Sequence, residues 1–156
     1  MKKTKQEVLD HVISFHGITG EATYPMYDAY NAVKPAHIKY GAPWCAIFVW
    51  FVLQDQLEFI PCEASCDRMK EALKKAGRWY ASGLKKPVPG DLIFFSNKLT
   101  EADCTHVGIV MQCDYYTEIL TTYEGNTSKM VAPRMYRFID NPYIVGYGDL
   151  QDLYLT

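Results

Sequence analysis

Residues 43–57 read PWCAIFVWFVLQDQL, and from Pro43 to Leu53 almost every side chain is apolar. A helix lying on a protein surface shows one apolar stripe, whereas one that is apolar all round is buried in the middle of a domain. Pro43 suits the start of such a helix, because its missing N–H would have no partner there in any case. The longest apolar run, Ala46 to Leu53, is far shorter than the roughly twenty residues a helix needs to cross a bilayer. The stretch therefore predicts a central, buried helix with Cys45 at its N-terminal end.

On the N-terminal side, Thr4-Lys5-Gln6-Glu7 fits a capping box. Leu9, Val12, Ile13 and His16 then recur at helical spacing until Gly17, a stop signal. Residues 18–43 are rich in Tyr, Pro and Gly, with a short helix expected near Met26 to Val33. A connection this long points to a functional surface. On the C-terminal side, Ser65 can cap a helix with Met69, Leu73 and Ala76 on one face and Lys70, Lys74 and Lys75 on the other, ended by Gly77. After the turn-rich stretch Ser82 to Gly90, the runs DLIFF (91–95), HVGIVMQC (106–113), TEILTTY (117–123), MVAPRMYRF (130–138) and YIVGYG (143–148) read as strands. Helices first and an antiparallel sheet afterwards predict one α+β domain over residues 1–156, with about five strands and no repeat or linker.

The 156 residues carry a net charge of -2, which gives no electrostatic footprint for nucleic acid or for an anionic membrane. The N-terminus, MKKTKQEVLD, places Gln6, Glu7 and Asp10 where a secretory signal needs an apolar run. Five cysteines, Cys45, Cys62, Cys66, Cys104 and Cys113, are an odd set and read as reduced thiols rather than a disulfide framework.

A cysteine is a useful nucleophile only as thiolate, and its free pKa of about 8.5 must be lowered by a helix N-terminus or a nearby cation. Cys45 has the first device, since the exposed amides of its helix put partial positive charge beside the sulfur. The bland alternative is a small buried hydrophobe. His106 opens the strand-like run HVGIV after Asp103 and Thr105, which sets its ring at a sheet edge, a sensible place for a base. His11, His16 and His37 precede no comparable strand. The polar cluster Glu124-Gly125-Asn126-Thr127 offers two groups able to orient an imidazole, although Gly and Asn also suit a hairpin turn.

These residues together resemble the CHAP family, the cysteine, histidine-dependent amidohydrolases and peptidases of phage endolysins and bacterial wall hydrolases. Trp44-Cys45-Ala46-x-Phe48-Val49 is similar to the family's W-C-A-x-F-V helix. Pro89-Gly90-Asp91-Leu92-Ile93-Phe94-Phe95 resembles its P-G-D-L-I-F-F strand, and Thr105-His106-Val107-Gly108-Ile109-Val110 its D-H-V-G-I-V. Thr122-Tyr123-Glu124-Gly125-Asn126-Thr127 resembles T-x-E-G-N-T, and Gly146-Tyr147-Gly148 the closing strand. The resemblance covers residues 43–148, with its motifs in the family's order.

It implies a papain-like fold, with residues 1–42 supplying the first helix and a groove-forming segment. It further implies Cys45 as nucleophile, His106 as base and later acid, Glu124 as the group that orients the imidazole, and Asn126 as second candidate for that role. The implied substrate is bacterial peptidoglycan, cut at an amide or peptide bond by a monomer made in the cytoplasm and acting on the wall after release. No metal or organic cofactor is required, and neither residues 28–41 nor the segment NKLTEAD has the Asp-rich pattern with which some members bind calcium. Trp44, Tyr40 and Thr105 are the substrate-contact candidates, and Tyr24, Tyr27, Tyr30 and Trp79 are aromatics that either line a groove or pack. Two rival readings stand beside this one. One is an NlpC-type endopeptidase, transacylase or deamidase on the same fold. The other is a non-catalytic wall-binding module, or a protein stabilised by zinc on Cys62, Cys66, Cys104, Cys113 and His106.

Overall fold

The structure, a computed structural model, describes residues 1–35 and 37–156. Among the described residues, helices α1 (Lys5–Ile13), α2 (Tyr24–Val33), α3 (Cys45–Leu53) and α4 (Cys66–Lys75) come first. Strands β1 (Trp79–Ala81), β2 (Leu92–Phe95), β3 (His106–Asp114), β4 (Ile119–Thr127), β5 (Met130–Arg137) and β6 (Ile144–Gly148) follow. The strands form one sheet in the order β1-β6-β2-β3-β4-β5, and every neighbouring pair is antiparallel. This is the α+β architecture expected, with a sixth strand. Trp79–Ala81 pairs with Tyr147 and its neighbours at the sheet edge, but three residues are too few for an alternating pattern to be legible.

Helix α3 is the centre of the fold. All of its residues except Phe51 are buried, and it packs on β3 and β4 from one side and on α1, α2 and α4 from the others. It stops at Leu53 rather than running on to Leu57, because Gln54, Asp55 and Gln56 bring polar groups that need water. Helix α1 has the full capping box: Thr4 Oγ1 accepts from Glu7 N, and the Glu7 carboxylate accepts from Thr4 N. It ends at Ile13. The chain then turns to Gly17, whose φ of 82° suits glycine and whose N–H donates to Val131 O at 2.8 Å. That bond ties the helical layer to β5. Strand β4 runs to Thr127, beyond the Tyr123 expected, so the Glu124–Thr127 cluster lies in the strand and the hairpin turn falls on Ser128 and Lys129, both at positive φ.

A smaller apolar cluster, with Ile93, Val110, Leu120 and Tyr147, covers the other face of the sheet. Asp91 locks the start of β2 to the C-terminal segment. Its fully buried carboxylate accepts from Tyr80 Oη at 2.6 Å, Leu150 N at 3.0 Å and Gln151 Nε2 at 2.7 Å. Leaving such buried donors without an acceptor costs about 1–3 kcal/mol for each group. Asp91→Ala is therefore expected to destabilise the protein by roughly 2–4 kcal/mol, measured by urea unfolding, with Asp91→Asn losing less. A loss below about 1 kcal/mol in the alanine variant would contradict this account of the lock.

Candidate active site

Cys45 is the first residue of α3. Trp44 precedes it as N-cap and provides no side-chain capping bond, so the amides of the first turn stay free to face an anion. The thiol is nearly buried, at 7% exposure. His106, the first residue of β3, and the backbone N–H of Val107, the next residue, are close enough to the sulfur to favour its thiolate. On the far side of the ring, His106 Nε2 lies 2.7 Å from Glu124 Oε1. Nε2 therefore carries the proton donated to the carboxylate, and Nδ1 is the nitrogen left for Cys45.

Glu124 is 1% exposed and fully bonded. Its second oxygen accepts from Thr122 Oγ1 at 2.6 Å and from Tyr136 Oη at 2.7 Å. Burial pushes this carboxyl upward, but the bond and charge of His106 with the Thr122 and Tyr136 hydroxyls outweigh it, and the group is held below its ordinary value. Gly108 makes the arrangement possible: a Cβ there would sit 2.7 Å from Glu124 Cγ. Gly125 has the matching role on α3, where a Cβ would meet Phe48 Cβ at 2.5 Å.

A residue that sequence reasoning missed stands beside the sulfur. Cys66, the first residue of α4, has its Sγ 3.3 Å from Cys45 Sγ. Its thiol is the largest influence lowering Cys45. Burial opposes it, and the His106 bond, the His106 charge and the Val107 amide add to it, so that Cys45 falls to about 5. His106 moves the other way. Burial disfavours its charge, yet the bonds to Cys45 and Glu124 raise it to about 9. Cys66 itself is driven up by its bond to Cys45 and by burial, which keeps it a thiol that donates to its neighbour. The available signal was Ser65, a capping residue that sets Cys66 in a first helical turn as Pro43 sets Cys45, but nothing in the spacing shows that the two helix starts meet.

The other expected site residues separate. Asn126, at φ 60°, makes no bond to the imidazole and instead lines a cleft of about 570 Å³. Tyr40 and Trp44 line the same cleft, with Tyr24 and Lys129. Tyr40 stacks on Tyr24 at 3.8 Å and donates to Asp28 Oδ1 at 2.5 Å. Thr105 is exposed, and its Oγ1 accepts from Asn97 N at 3.1 Å, which shapes the loop before β3 rather than the cleft. Tyr27 and Tyr30 pack in the core, where they donate to Ala42 O and accept from Ala64 N respectively, and each also lines one of two clefts. Trp79, on the edge strand β1, packs on Phe94. The second cleft, of about 540 Å³, is lined by Pro43, Glu63, Ser65 and Arg68 among others; the two clefts approach the site through Pro43 and Trp44, the residues before Cys45, and neither is lined by Cys45 or His106 themselves. Among the described residues no three His, Cys, Asp or Glu side chains are placed to hold a metal ion, and no helix is long and apolar enough to cross a membrane. The Cys62, Cys66, Cys104, Cys113 and His106 set proposed for zinc does not gather.

The CHAP domain profile matches residues 37–126, more than half of the 156 residues. The chain belongs to the CHAP family. No curated protein matches this CHAP domain. In fold it is similar to the crystal structure of Ly7917 with the hydrolyzing product of MDP, at TM-score 0.55 and 17% identity over 92% of the chain and 62% of that protein. It is also similar to NlpC1 from Trichomonas vaginalis, at TM-score 0.51 and 13% identity over 93% of the chain and 43% of that protein. A lipoprotein-like member of the NLP/P60 family from Staphylococcus aureus gives TM-score 0.51 and 13% identity over 97% of the chain and 42% of that protein. The CHAP domain thus spans less than two thirds of the length of these relatives, and at such identities the likeness establishes a papain-like fold shared with NLP/P60 proteins.

Within this CHAP domain, Gly108→Ala should push the Glu124 carboxylate off the imidazole, since overpacking of this kind costs about 1–3 kcal/mol. The expected result is a lower melting temperature and a His106 pKa, followed by NMR, that drops from about 9 toward the ordinary imidazole value. An unchanged His106 titration would contradict the role given to Gly108.

Proposed function

We propose that this chain is a cysteine hydrolase that opens an amide or peptide bond of bacterial peptidoglycan, with Cys45 as nucleophile, His106 as general acid and base, and Glu124 as the residue that positions His106. The observation that carries the proposal is the convergence of sulfur, imidazole and buried carboxylate at the start of α3, beside a cleft lined by Pro43 and Trp44, the two residues before Cys45. Membership of the CHAP family supports it. So does the fold relative that holds the hydrolysis product of MDP, a muramyl dipeptide. The stacked Tyr24 and Tyr40 and the neighbouring Trp44 give a wall suited to a glycan-linked peptide.

In this mechanism the Cys45 thiolate attacks the scissile carbonyl carbon while the ring is imidazolium. The carbonyl oxygen becomes an oxyanion facing the free amides at the start of α3. Collapse of the tetrahedral adduct breaks the C–N bond. The imidazolium gives its proton to the leaving amine, and a thioester remains on Cys45. The neutral imidazole then takes a proton from water, whose oxygen adds to the thioester, and expulsion of the thiolate releases the acid and restores the ion pair. Glu124 stays ionised throughout and stabilises the imidazolium.

Two bonds fit this chemistry, the muramoyl–alanine amide and a peptide bond of the stem or cross-bridge. Mass spectrometry of fragments from purified peptidoglycan distinguishes them, because only the first releases an intact stem peptide with a free N-terminal alanine.

Cys45→Ala is expected to lower wall hydrolysis on the order of 10⁴-fold or more with unchanged circular dichroism and melting, whereas Cys62→Ala retains full activity. Hydrolysis that persists in the Cys45 variant would overturn the assignment. The pH dependence has a definite sign. The productive form needs Cys45 deprotonated and His106 protonated, so kcat/KM should rise through about 5 and fall through about 9. A profile that rises only near the ordinary thiol value would contradict the ion pair.

A further inference from the structure

The contact between the two sulfurs has a use that hydrolysis does not require. Cys45 and Cys66 each head a helix, with 3.3 Å between their Sγ atoms and 7% exposure for each residue. A disulfide needs about 2.05 Å between the sulfurs, so the two thiols stand little more than one ångström beyond bonding distance. The start of α4 is held firmly in this position. Ser65 Oγ accepts from Arg68 N at 3.2 Å, and Asp67 Oδ1 accepts from Cys104 N at 3.0 Å and from Lys70 Nζ at 2.8 Å. The buried Lys70 also donates to Glu101 O at 2.5 Å. The remaining cysteines are turned elsewhere. The Cys104 thiol faces Glu101 O at 3.8 Å, while Cys113 packs with the apolar cluster on the far face of the sheet.

We propose that Cys45 and Cys66 form a redox modification site in which hydrogen peroxide oxidises Cys45 and Cys66 resolves the product as an intramolecular disulfide. The Cys45 thiolate attacks one peroxide oxygen. The O–O bond breaks, Cys45 becomes a sulfenic acid, and the departing hydroxide takes the His106 proton to leave as water. The Cys66 sulfur then attacks the sulfenic sulfur, the S–O bond breaks, and the second hydroxide leaves as water with the Cys66 proton. Two thiols lose two electrons in total, the peroxide gains them, and two waters result. A reducing thiol reverses the bond by exchange. A neighbour able to resolve the sulfenic acid spares Cys45 from the irreversible sulfinic and sulfonic states. That the same bond also switches hydrolysis off rests on the assignment of Cys45 as nucleophile; formation of the disulfide does not.

The test exposes the intact chain to equimolar hydrogen peroxide near neutral pH, alkylates the remaining thiols and maps the peptides by mass spectrometry. Wall hydrolysis is followed in parallel. The expected product is a Cys45–Cys66 linked peptide, with Cys62, Cys104 and Cys113 alkylated, together with a loss of hydrolysis that dithiothreitol restores. In Cys66→Ala, Cys45 should instead collect as sulfinic or sulfonic acid that dithiothreitol does not recover. Accumulation of those acids on Cys45 in the unsubstituted chain, or a disulfide from Cys66 to Cys104 in place of Cys45, would overturn the proposal. A Cys45–Cys66 disulfide in a chain whose reduced form hydrolyses no peptidoglycan supports the pair and overturns the proposed function.

Discussion

An anionic sulfur inside a protein is expensive unless several dipoles and a cation converge on it, and much of this fold does that for Cys45. The sulfur sits at the uncapped N-terminal turn of α3, β3 supplies the His106 imidazole and the Val107 amide, and α4 adds a thiol hydrogen bond. The cation is itself supported from behind. Glu124 is buried and saturated by Thr122, Tyr136 and His106, so its charge is spent on holding the imidazolium rather than on water. Break any part of this chain and the sulfur reverts toward an ordinary buried thiol.

The backbone geometry answers to the same demand. Glycine at 108 leaves room for the Glu124 side chain, and glycine at 125 lets β4 press against Phe48 and Trp44 of the central helix. Asp91 serves at a distance, pinning Tyr80 and the C-terminal segment around the start of β2. The strand that carries His106 is paired with β2 on one side and with the Glu124 strand on the other, so imidazole and carboxylate are fixed relative to each other by sheet register.

Much of this is legible in the sequence, and the reasons are local. Helix α3 announces itself through apolar side chains on every face, α1 through its capping box, and the His106 strand through HVGIV. Thr122 to Thr127 is legible as a polar cluster, though its turn propensity concealed that Glu124 sits inside a strand. What could not be read is anything set by how elements cross. Cys66 lies 21 residues from Cys45 on a helix whose pattern speaks only of amphipathic packing. Asn126 looked like a second partner for the ring, but the irregular pairing between Glu124 and Thr127 sends it to the cleft. Thr105, exposed beside His106, also accepts from Asn97 N in the loop before β3, a contact between segments that the sequence does not show.

The central claim is that Cys45 is a thiolate at neutral pH because the Cys66 thiol, the His106 imidazolium and the Val107 amide together make it one. The most direct measurement is the rate of Cys45 alkylation by iodoacetamide as a function of pH, read by peptide mass spectrometry in the reduced protein and in His106→Ala. The account predicts half-maximal reactivity near pH 5 in the unsubstituted protein and a shift toward the ordinary thiol value of about 8.5 without the imidazole. Half-maximal reactivity near the ordinary value in both proteins would contradict it.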